Sequence, residues 1–459
     1  MLLKFKPRHF TLCLGIALAI KTSRGFAEED YGSYRHEFYR EDDHRMSIDT
    51  DSAAFDLGIG SHVRLNGEFV LDAISGATPT GAPPQSQWPF PTFTDLFNHA
   101  NTQLFQAVVN DPNNLILYQS GYFTTFKDYT NYIAANNPQI PGQASNNAAS
   151  AYHTLISNPL MHNSTQVPLT DLHDLRRAFS LGAPITFGIH QFTPQVSVSE
   201  ESDYHSYGFA LNYAAQLNKK NTTLNLGWSH DADRVRDDHL IWEGKVSDDI
   251  LLGINQLLTP KSYFTVNFTY GQEYGYLSDP YRGVLQIVPN NFDYLQLDPT
   301  DAALIPEKRP RRRTKEIFYI SYDQFVDPLN GGVELGYRFF HDSYGIFAHT
   351  FETAWHQKIG RNVVFTPAIR YYCQTAASFY STYIVTPDPA ILPAAYSADY
   401  RLSELQTLTL SATVTCRVQK HFSIDASYMR YIMEGLDGVT SPSAYPSANV
   451  YTIGARIWF

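Results

Sequence analysis

The sequence has no long apolar run after its N-terminus. Nothing there approaches the roughly 20 apolar residues that a membrane helix requires, so any membrane-spanning reading must be built from strands. Cysteine is scarce, with 3 in 459 residues. Cys13 falls in an N-terminal leader, leaving Cys373 and Cys416. One possible disulfide is no framework for a chain of this size, and the strand map below puts the two at different heights, unpaired. Basic charge is in deficit: Lys+Arg 34 against Asp+Glu 45 gives −11, which argues against a nucleic-acid partner. Catalytic signatures are missing as well. No Gly-x-Ser-x-Gly elbow presents a strained nucleophile, and neither Gly-x-Gly-x-x-Gly nor a Lys-bearing phosphate loop occurs. The one compact grouping that a hydrolase could use is His205 with Ser206, Asp203 and Glu200. Adjacent residues on a strand face opposite ways, so His205 cannot readily activate Ser206, and no enzyme is expected.

What the chain does have is turn residues, aromatics and alternation. Tyr 31 and Phe 29 dominate the aromatics, and Gly 27 with Pro 26 mark many turns. Lys4, Lys6 and Arg8 precede an apolar run from Phe10 to Ile20, and Gly25-Phe26-Ala27 follows before Glu28. This is the layout of an export signal, with cleavage expected after Ala27, so 1–27 reads as leader and 28–459 as the mature domain. At the other end, Tyr451, Ile453, Ala455, Ile457 and Phe459 alternate with Thr452, Gly454, Arg456 and Trp458. A last strand ending on Phe459 resembles the terminal strand of bacterial outer-membrane barrels, through which the barrel-assembly machinery would engage the chain.

The same period of two recurs throughout. Leu224, Leu226 and Trp228 alternate with Thr223, Asn225 and Gly227; Phe264, Val266, Phe268 and Tyr270 repeat the device. Segments this long suit tilted strands crossing a thin hydrocarbon layer better than the ~5–6-residue strands of soluble sheets. Counting back from Phe459 gives about sixteen strands. The first eight lie near 32–41, 47–57, 62–73, 173–184, 190–199, 204–216, 221–230 and 247–257. The rest lie near 262–272, 315–326, 331–340, 345–356, 362–373, 402–415, 421–433 and 449–459. Weak first and fourth strands leave fourteen as the fallback. The expected fold is an all-β transmembrane antiparallel barrel with tight periplasmic turns and long extracellular loops, its outer surface against outer-membrane lipid and lipopolysaccharide.

Residues 75–171 form an extracellular insertion too long for a bare loop. Helices are expected over Phe93 to Val109, Tyr122 to Ala135 and Asn146 to Ile156, folded over or into the barrel mouth; a disordered excursion is the plainer reading. Asp72-Ala73-Ile74-Ser75-Gly76-Ala77-Thr78-Pro79-Thr80-Gly81 allows close backbone approach, and Asp72, Ser75, Gly76 and Thr78 would pin the insertion to the rim. Ser199 to Ser206 packs Glu200, Glu201 and Asp203 beside Tyr204. Those oxygens could hold calcium, though solvated rim charge explains them as well. His230, Asp231, Asp233, Asp237, Asp238 and His239 form a second acidic stretch with no zinc spacing. Ser278-Asp279-Pro280-Tyr281-Arg282 is a turn. Glu307, Lys308, Arg309, Arg311, Arg312 and Arg313 make the only basic run, able to fold inward against lumen acids, to grip anionic headgroups outside, or to stay solvated.

These strings together resemble a family of outer-membrane barrel proteins known only as a domain of unknown function, DUF3570. The resemblance rests on Asp72 to Gly81, on Asp171-Leu172-His173-Asp174 with Arg176 and Arg177, on Ser199 to Ser206, on Asn221 to Leu224 and on Ser278 to Arg282. It implies a fold and an address but no activity or cofactor, and the insertion between Gly81 and Asp171 looks larger than the pattern needs. The functional expectation is a monomeric, passive pore for small polar solutes. The alternative is a plugged structural or adhesion barrel that displays its insertion to partners.

Overall fold

Alternation becomes architecture in the computed structural model, which describes residues 30–88, 93–157, 165–288 and 302–459. The leader expected over 1–27 lies outside them. Along the first half of the chain run β1 (Tyr31–Glu41), β2 (Met46–Ile59), β3 (Val63–Pro79), β4 (Leu169–Gly182), the short β5 (Ile185–Phe187), β6 (His190–Glu200), β7 (Tyr204–Leu217), β8 (Thr222–Arg236), β9 (Trp242–Thr259) and β10 (Ser262–Gly275). After them come β11 (Gly283–Ile287), β12 (Ala302–Pro306), β13 (Arg312–Val326), β14 (Gly331–Asp342), β15 (Phe347–Ile359), β16 (Val363–Gln374), β17 (Tyr383–Val385), β18 (Leu405–Gln419), β19 (Phe422–Gly435) and β20 (Ala448–Trp458). β11, β12 and β17 form a separate small sheet.

The long strands close into a sixteen-stranded antiparallel barrel of the outer-membrane type. Closure is made by β1, which pairs with β2 on one side and with β20 on the other, from Tyr31↔Trp458 to Glu41↔Ala448. No wall edge is left with unpaired backbone groups, the condition for a sheet in hydrocarbon. The two faces differ chemically. One carries exposed Leu224, Leu252, Phe268, Phe351, Leu410 and Ile453 and is the outside. The other carries Asn225, Asn267, Glu352 and Thr452, opposite Gly253, Gly253, Arg370 and Glu37 respectively, and lines the lumen. Tight turns lie at the end where the termini meet, tied by Phe459 N–H to the Asp30 carbonyl at 2.9 Å. Long loops lie at the other end. Cys373 and Cys416 are both free. In register with Gln406 and Val363, they sit at opposite ends of adjacent strands.

All sixteen expected wall strands are present, including the weak first and fourth, but several run further at the loop end. β3 continues to Pro79, β8 to Arg236, and β9 begins at Trp242. Asp72 to Pro79 is therefore strand rather than rim loop, and the insertion spans Thr80 to Pro168. Beyond the hydrocarbon both faces meet water, so alternation fades while pairing continues. The insertion holds α1 (Phe93–Val109), α2 (Pro112–Gln119), α3 (Phe126–Asn136) and α4 (Ile140–Ser157). α2 was not expected from the sequence, although Asp111 caps it by accepting from Asn113 N–H, with Pro112 in the first turn. Val109, Tyr129 and Ile133 form the core of the helical unit, and the Tyr129 hydroxyl donates to the Val109 carbonyl at 2.6 Å.

Candidate functional site

The loops at the far end fold on one another into a cap. Loop 276–311 carries β11 and β12, and loop 375–404 carries β17, which pairs parallel with β11. The bridge Lys308↔Tyr396 adds further pairing between the loops, and Tyr380↔Ser397 pairs the second loop with itself. Val284, Tyr396 and Ala398 form an apolar core with Ile305 and Ile384 packed against it.

Under this core lies a knot of buried charge. Asp399 is 1 % exposed and ion-pairs with Arg309 at 2.7 Å, with Arg282 at 3.8 Å and with Arg401 at 2.5 Å. Glu307 pairs with Arg309 at 2.7 Å, accepts from the Asp279 N–H at 2.5 Å, and accepts from the Ser397 hydroxyl. Asp279 pairs with Arg401 and with Arg282. Three guanidiniums thus face three carboxylates, so the knot is neutral and its charges are paired rather than free. Burial alone would raise the Asp399 carboxyl, but Arg401, Arg282 and Arg309 hold it well below the usual carboxylate range. Burial wins at Glu307, whose carboxyl is pushed up despite Arg309.

The cap is tied to the wall at named points. Arg282 Nη2 donates to Thr78 Oγ1 at 2.7 Å, and Gly283 N–H donates to the Thr80 carbonyl at 2.7 Å. Gly81, at φ +97°, leaves a Cβ position only 2.3 Å from the Gly283 carbonyl oxygen, so no other residue fits that crossing. The Tyr281 hydroxyl donates to Asp203, and burial together with this bond pushes its pKa up. Arg313 forks onto Asp342 at 2.5 Å and lies 4.7 Å from the Tyr344 ring centroid. The Tyr344 phenol, raised to about 12 by burial, donates to the Pro310 carbonyl at 3.1 Å.

Six of the thirteen residues singled out from sequence meet at or beside this knot: Thr78, Asp203, Asp279, Tyr281, Arg282 and Arg309. Asp72 is buried on the lumen face of β3, accepting from Thr50 at 2.6 Å and from Arg176 at 3.2 Å. Gly76 serves a crossing: at φ +143° a Cβ there would lie 2.1 Å from the Arg45 carbonyl oxygen. Ser75 and Glu200 are exposed. Tyr204 lies at the outer end of β7, in register with Val235. Arg311 reaches Glu243 at 3.4 Å while 72 % exposed, and Arg312 stacks 5.3 Å from the Tyr274 ring centroid. The basic run is therefore divided. Arg309 and Arg313 turn inward, onto acids of the loops and strand ends, while Arg311 and Arg312 stay at the rim.

Asp399, Arg401 and Ser397 were missed. Their signal is faint: Asp399-Tyr400-Arg401 sets an acid just before an arginine, as Asp279 to Arg282 does at one residue wider spacing, in a loop otherwise nearly devoid of charge. A metal could be held by Asp174, Glu201 and Asp203, whose carboxylate oxygens come within 4.8 Å of one another. Glu200 does not join them. Among the described residues the other acidic stretch forms no such group, since His230 bonds Asp248 at 2.9 Å and His239 faces Asp238. His205 packs 4.6 Å from the Trp242 ring, in no catalytic arrangement.

Closed wall, polar lumen and looped mouth define a β-barrel of the outer-membrane type. The chain belongs to the family described as "Protein of unknown function (DUF3570)", which matches residues 21–442. Among solved structures it is similar to CdiB from Acinetobacter baumannii, at 8 % identity and a TM-score of 0.45, covering 94 % of this chain and 60 % of that one. It is also similar to the outer membrane protein OpdK from Pseudomonas aeruginosa, at 8 % identity and a TM-score of 0.36, covering 94 % and 99 %. A third is OmpT, an outer membrane protein of Vibrio cholerae, at 9 % identity and a TM-score of 0.37, covering 96 % and 100 %. No curated protein matches the sequence.

Proposed function

We propose that this protein is a passive channel of the bacterial outer membrane for small polar solutes, with its outer mouth narrowed by the cap. The observation that carries the reading is solvated charge on the lumen wall. Glu334 and His356 pair at 3.3 Å with 47 % and 45 % of their side chains exposed, and Glu352 and Arg370 pair at 3.0 Å with 38 % and 46 % exposed. All four are on the inward face, so that exposure is to water inside the barrel. A plugged barrel would bury them. Sixteen strands are enough to leave an aqueous channel. Acids and bases facing one another along the wall make a field that favours small polar solutes over apolar ones.

The competing reading is a barrel that displays its insertion to partners. It draws on exposed rings and aliphatics of the helical unit: Tyr122 is 73 % exposed, Ile116 60 % and Phe126 51 %. Conductance in a planar bilayer separates the two. A channel shows steady steps with the full chain, or with residues 82–164 removed. Silence from both would leave display as the function. Calcium, if Asp174, Glu201 and Asp203 hold it, would tighten the mouth rather than supply chemistry.

A further inference from the structure

A barrel bathed in lipid presents apolar side chains at hydrocarbon depth, because no water is there to solvate a charge. The seam made by β20, β1, β2 and β3 breaks that pattern. On β20 the outward residues are Tyr451, Ile453, Ala455 and Ile457, followed by Phe459, with Tyr451 49 %, Ile453 62 % and Phe459 48 % exposed. At a ~3.3 Å rise and a tilt of ~40°, Tyr451 to Phe459 spans about 20 Å of height, with an aromatic ring at each limit. That span marks the hydrocarbon belt on this strand.

Register places His36 opposite Ile453 and Tyr34 opposite Ala455, so both fall inside the belt. On their other side His36 faces Asp51 and Tyr34 faces Ala53, and Asp51 in turn faces Leu71. The Asp51 carboxylate is held by the Tyr34 hydroxyl and by His36 Nδ1, the latter at 2.7 Å. Both contacts land on Oδ1. Asp51 Oδ2 and His36 Nε2 make no hydrogen bond among the described residues. Other outward pairs, Arg40 with Asp49, His230 with Asp248 and His341 with Glu316, lie nearer the loop end of the wall. Beside the Asp51 group the outward residues Gly32, Ala53, Ala73 and Ala455 are small, interspersed with Phe38, Phe69, Leu71 and Ile453 on the same face.

We infer that this seam is the surface by which two copies of the chain associate within the membrane. Lipid tails can satisfy neither a spare carboxylate oxygen nor a spare ring nitrogen. A second copy satisfies both. A two-fold contact is isologous, so the Asp51 oxygen of each copy can meet the imidazole of the other in both directions. The patch offers both a carboxylate oxygen and a ring nitrogen, so it needs no unlike partner. The small residues Gly32, Ala53, Ala73 and Ala455 leave room for a second wall beside the pair. The inference rests on the membrane placement of the barrel, and it replaces the monomer expected from sequence.

Native mass spectrometry of the full chain, extracted in mild detergent and separately in lipid nanodiscs, tests it. Two chains per particle are expected for wild type, and one for H36L/D51L. H230L/D248L, which alters the other outward His–Asp pair, keeps two. Heat-modifiable gel migration reports whether each variant is a folded barrel. Should H36L/D51L fail to fold, A53C on a C373S/C416S background gives an independent readout: oxidation crosslinks two chains through this seam, whereas L335C on another strand does not crosslink. A wild type that is one chain in both media overturns the inference. So does a folded H36L/D51L that stays at two, or a stoichiometric foreign protein or retained lipopolysaccharide in place of the second copy. A chain that disperses folded without detergent would instead overturn the membrane placement itself.

Discussion

Asp399→Ala removes the acceptor shared by three arginines. Asp399 is 1 % exposed, and its partners Arg282 and Arg309 are 5 % and 12 % exposed, so water cannot replace the lost carboxylate. Arg401 is 47 % exposed and keeps Asp279, so its share is discounted for screening. Breaking a buried pair from one side costs about 3–5 kcal/mol, most of it from the charges left behind. At about 1.4 kcal/mol per decade, the folded cap loses roughly a hundred- to several-thousand-fold in its equilibrium against opening. The wall strands do not share Asp399, so the loss falls on the cap. The assay pairs single-channel recording with trypsin cleavage at Arg282, a site in loop 276–311 that is 5 % exposed and protected while the cap is folded. Higher mean conductance and faster cleavage are expected, with the heat-modified gel shift of the barrel unchanged. Wild-type conductance and cleavage rates in D399A would refute the claim that this knot holds the mouth.

Further outcomes follow from the same geometry. Because the Asp399 pKa is depressed on folding, its contribution is full above the ordinary carboxylate value of 3.8 and is lost as pH falls below it. Glu307 is raised instead, so its protonation on acidification relieves a burial cost rather than adding one. The cap should therefore hold from pH 7 to about 5 and loosen only below about 4, read as conductance and cleavage against pH. Gly76→Ala places a Cβ 2.1 Å from the Arg45 carbonyl oxygen in a left-handed backbone, and should destabilise by more than about 1 kcal/mol; denaturant midpoints of the refolded barrel measure this. Glu352→Gln leaves Arg370 as an uncompensated cation on a solvated lumen wall, and should shift the reversal potential in a salt gradient toward anions. Because the pair is exposed, stability should move by less than about 1 kcal/mol.

The wall was legible in sequence because lipid outside and water inside impose a strict period of two, as Leu224, Leu226 and Trp228 against Thr223, Asn225 and Gly227 show. That imprint stops where the hydrocarbon stops. Beyond it Arg234 and Arg236 still pair with β9 but carry no alternation, so β8 ran further than its pattern. The same limit hid the small sheet of the cap, whose strands are short and whose partners lie far along the chain: Leu285 pairs with Leu304 and with Tyr383. Asp72 to Gly81 was conspicuous for a local reason, since Gly76 and Gly81 sit where two backbones cross. Asp399 was invisible for the opposite reason. Its importance comes from Arg282 and Arg309 arriving from another loop, and no window around it contains them.

The distribution of ties shows where the mouth would yield. Within the cap, Asp399, Glu307, Asp279, Arg309 and Arg401 bind one another beside an apolar core, so the two loops behave as one body. Between cap and wall on the β3 and β6 side, the contacts are fewer: Arg282 to Thr78, Tyr281 to Asp203, and one backbone bond from Gly283 to Thr80. Arg282 is also the least settled member of the knot. Its Nε and Nη1 make no hydrogen bond, and its carboxylate partners stand 3.8 Å away. A buried guanidinium with unmade bonds gives back part of its desolvation cost when it reaches water. Opening is therefore cheapest along the seam between Arg282 and β3, with the cap moving as a unit and the Asp399 pairs intact. On that geometry Thr78→Val, which removes the Arg282 acceptor while keeping its shape, should raise open probability without speeding cleavage inside the cap. Asp399→Ala should raise both. Identical effects from the two variants would mean that the cap unravels rather than swings.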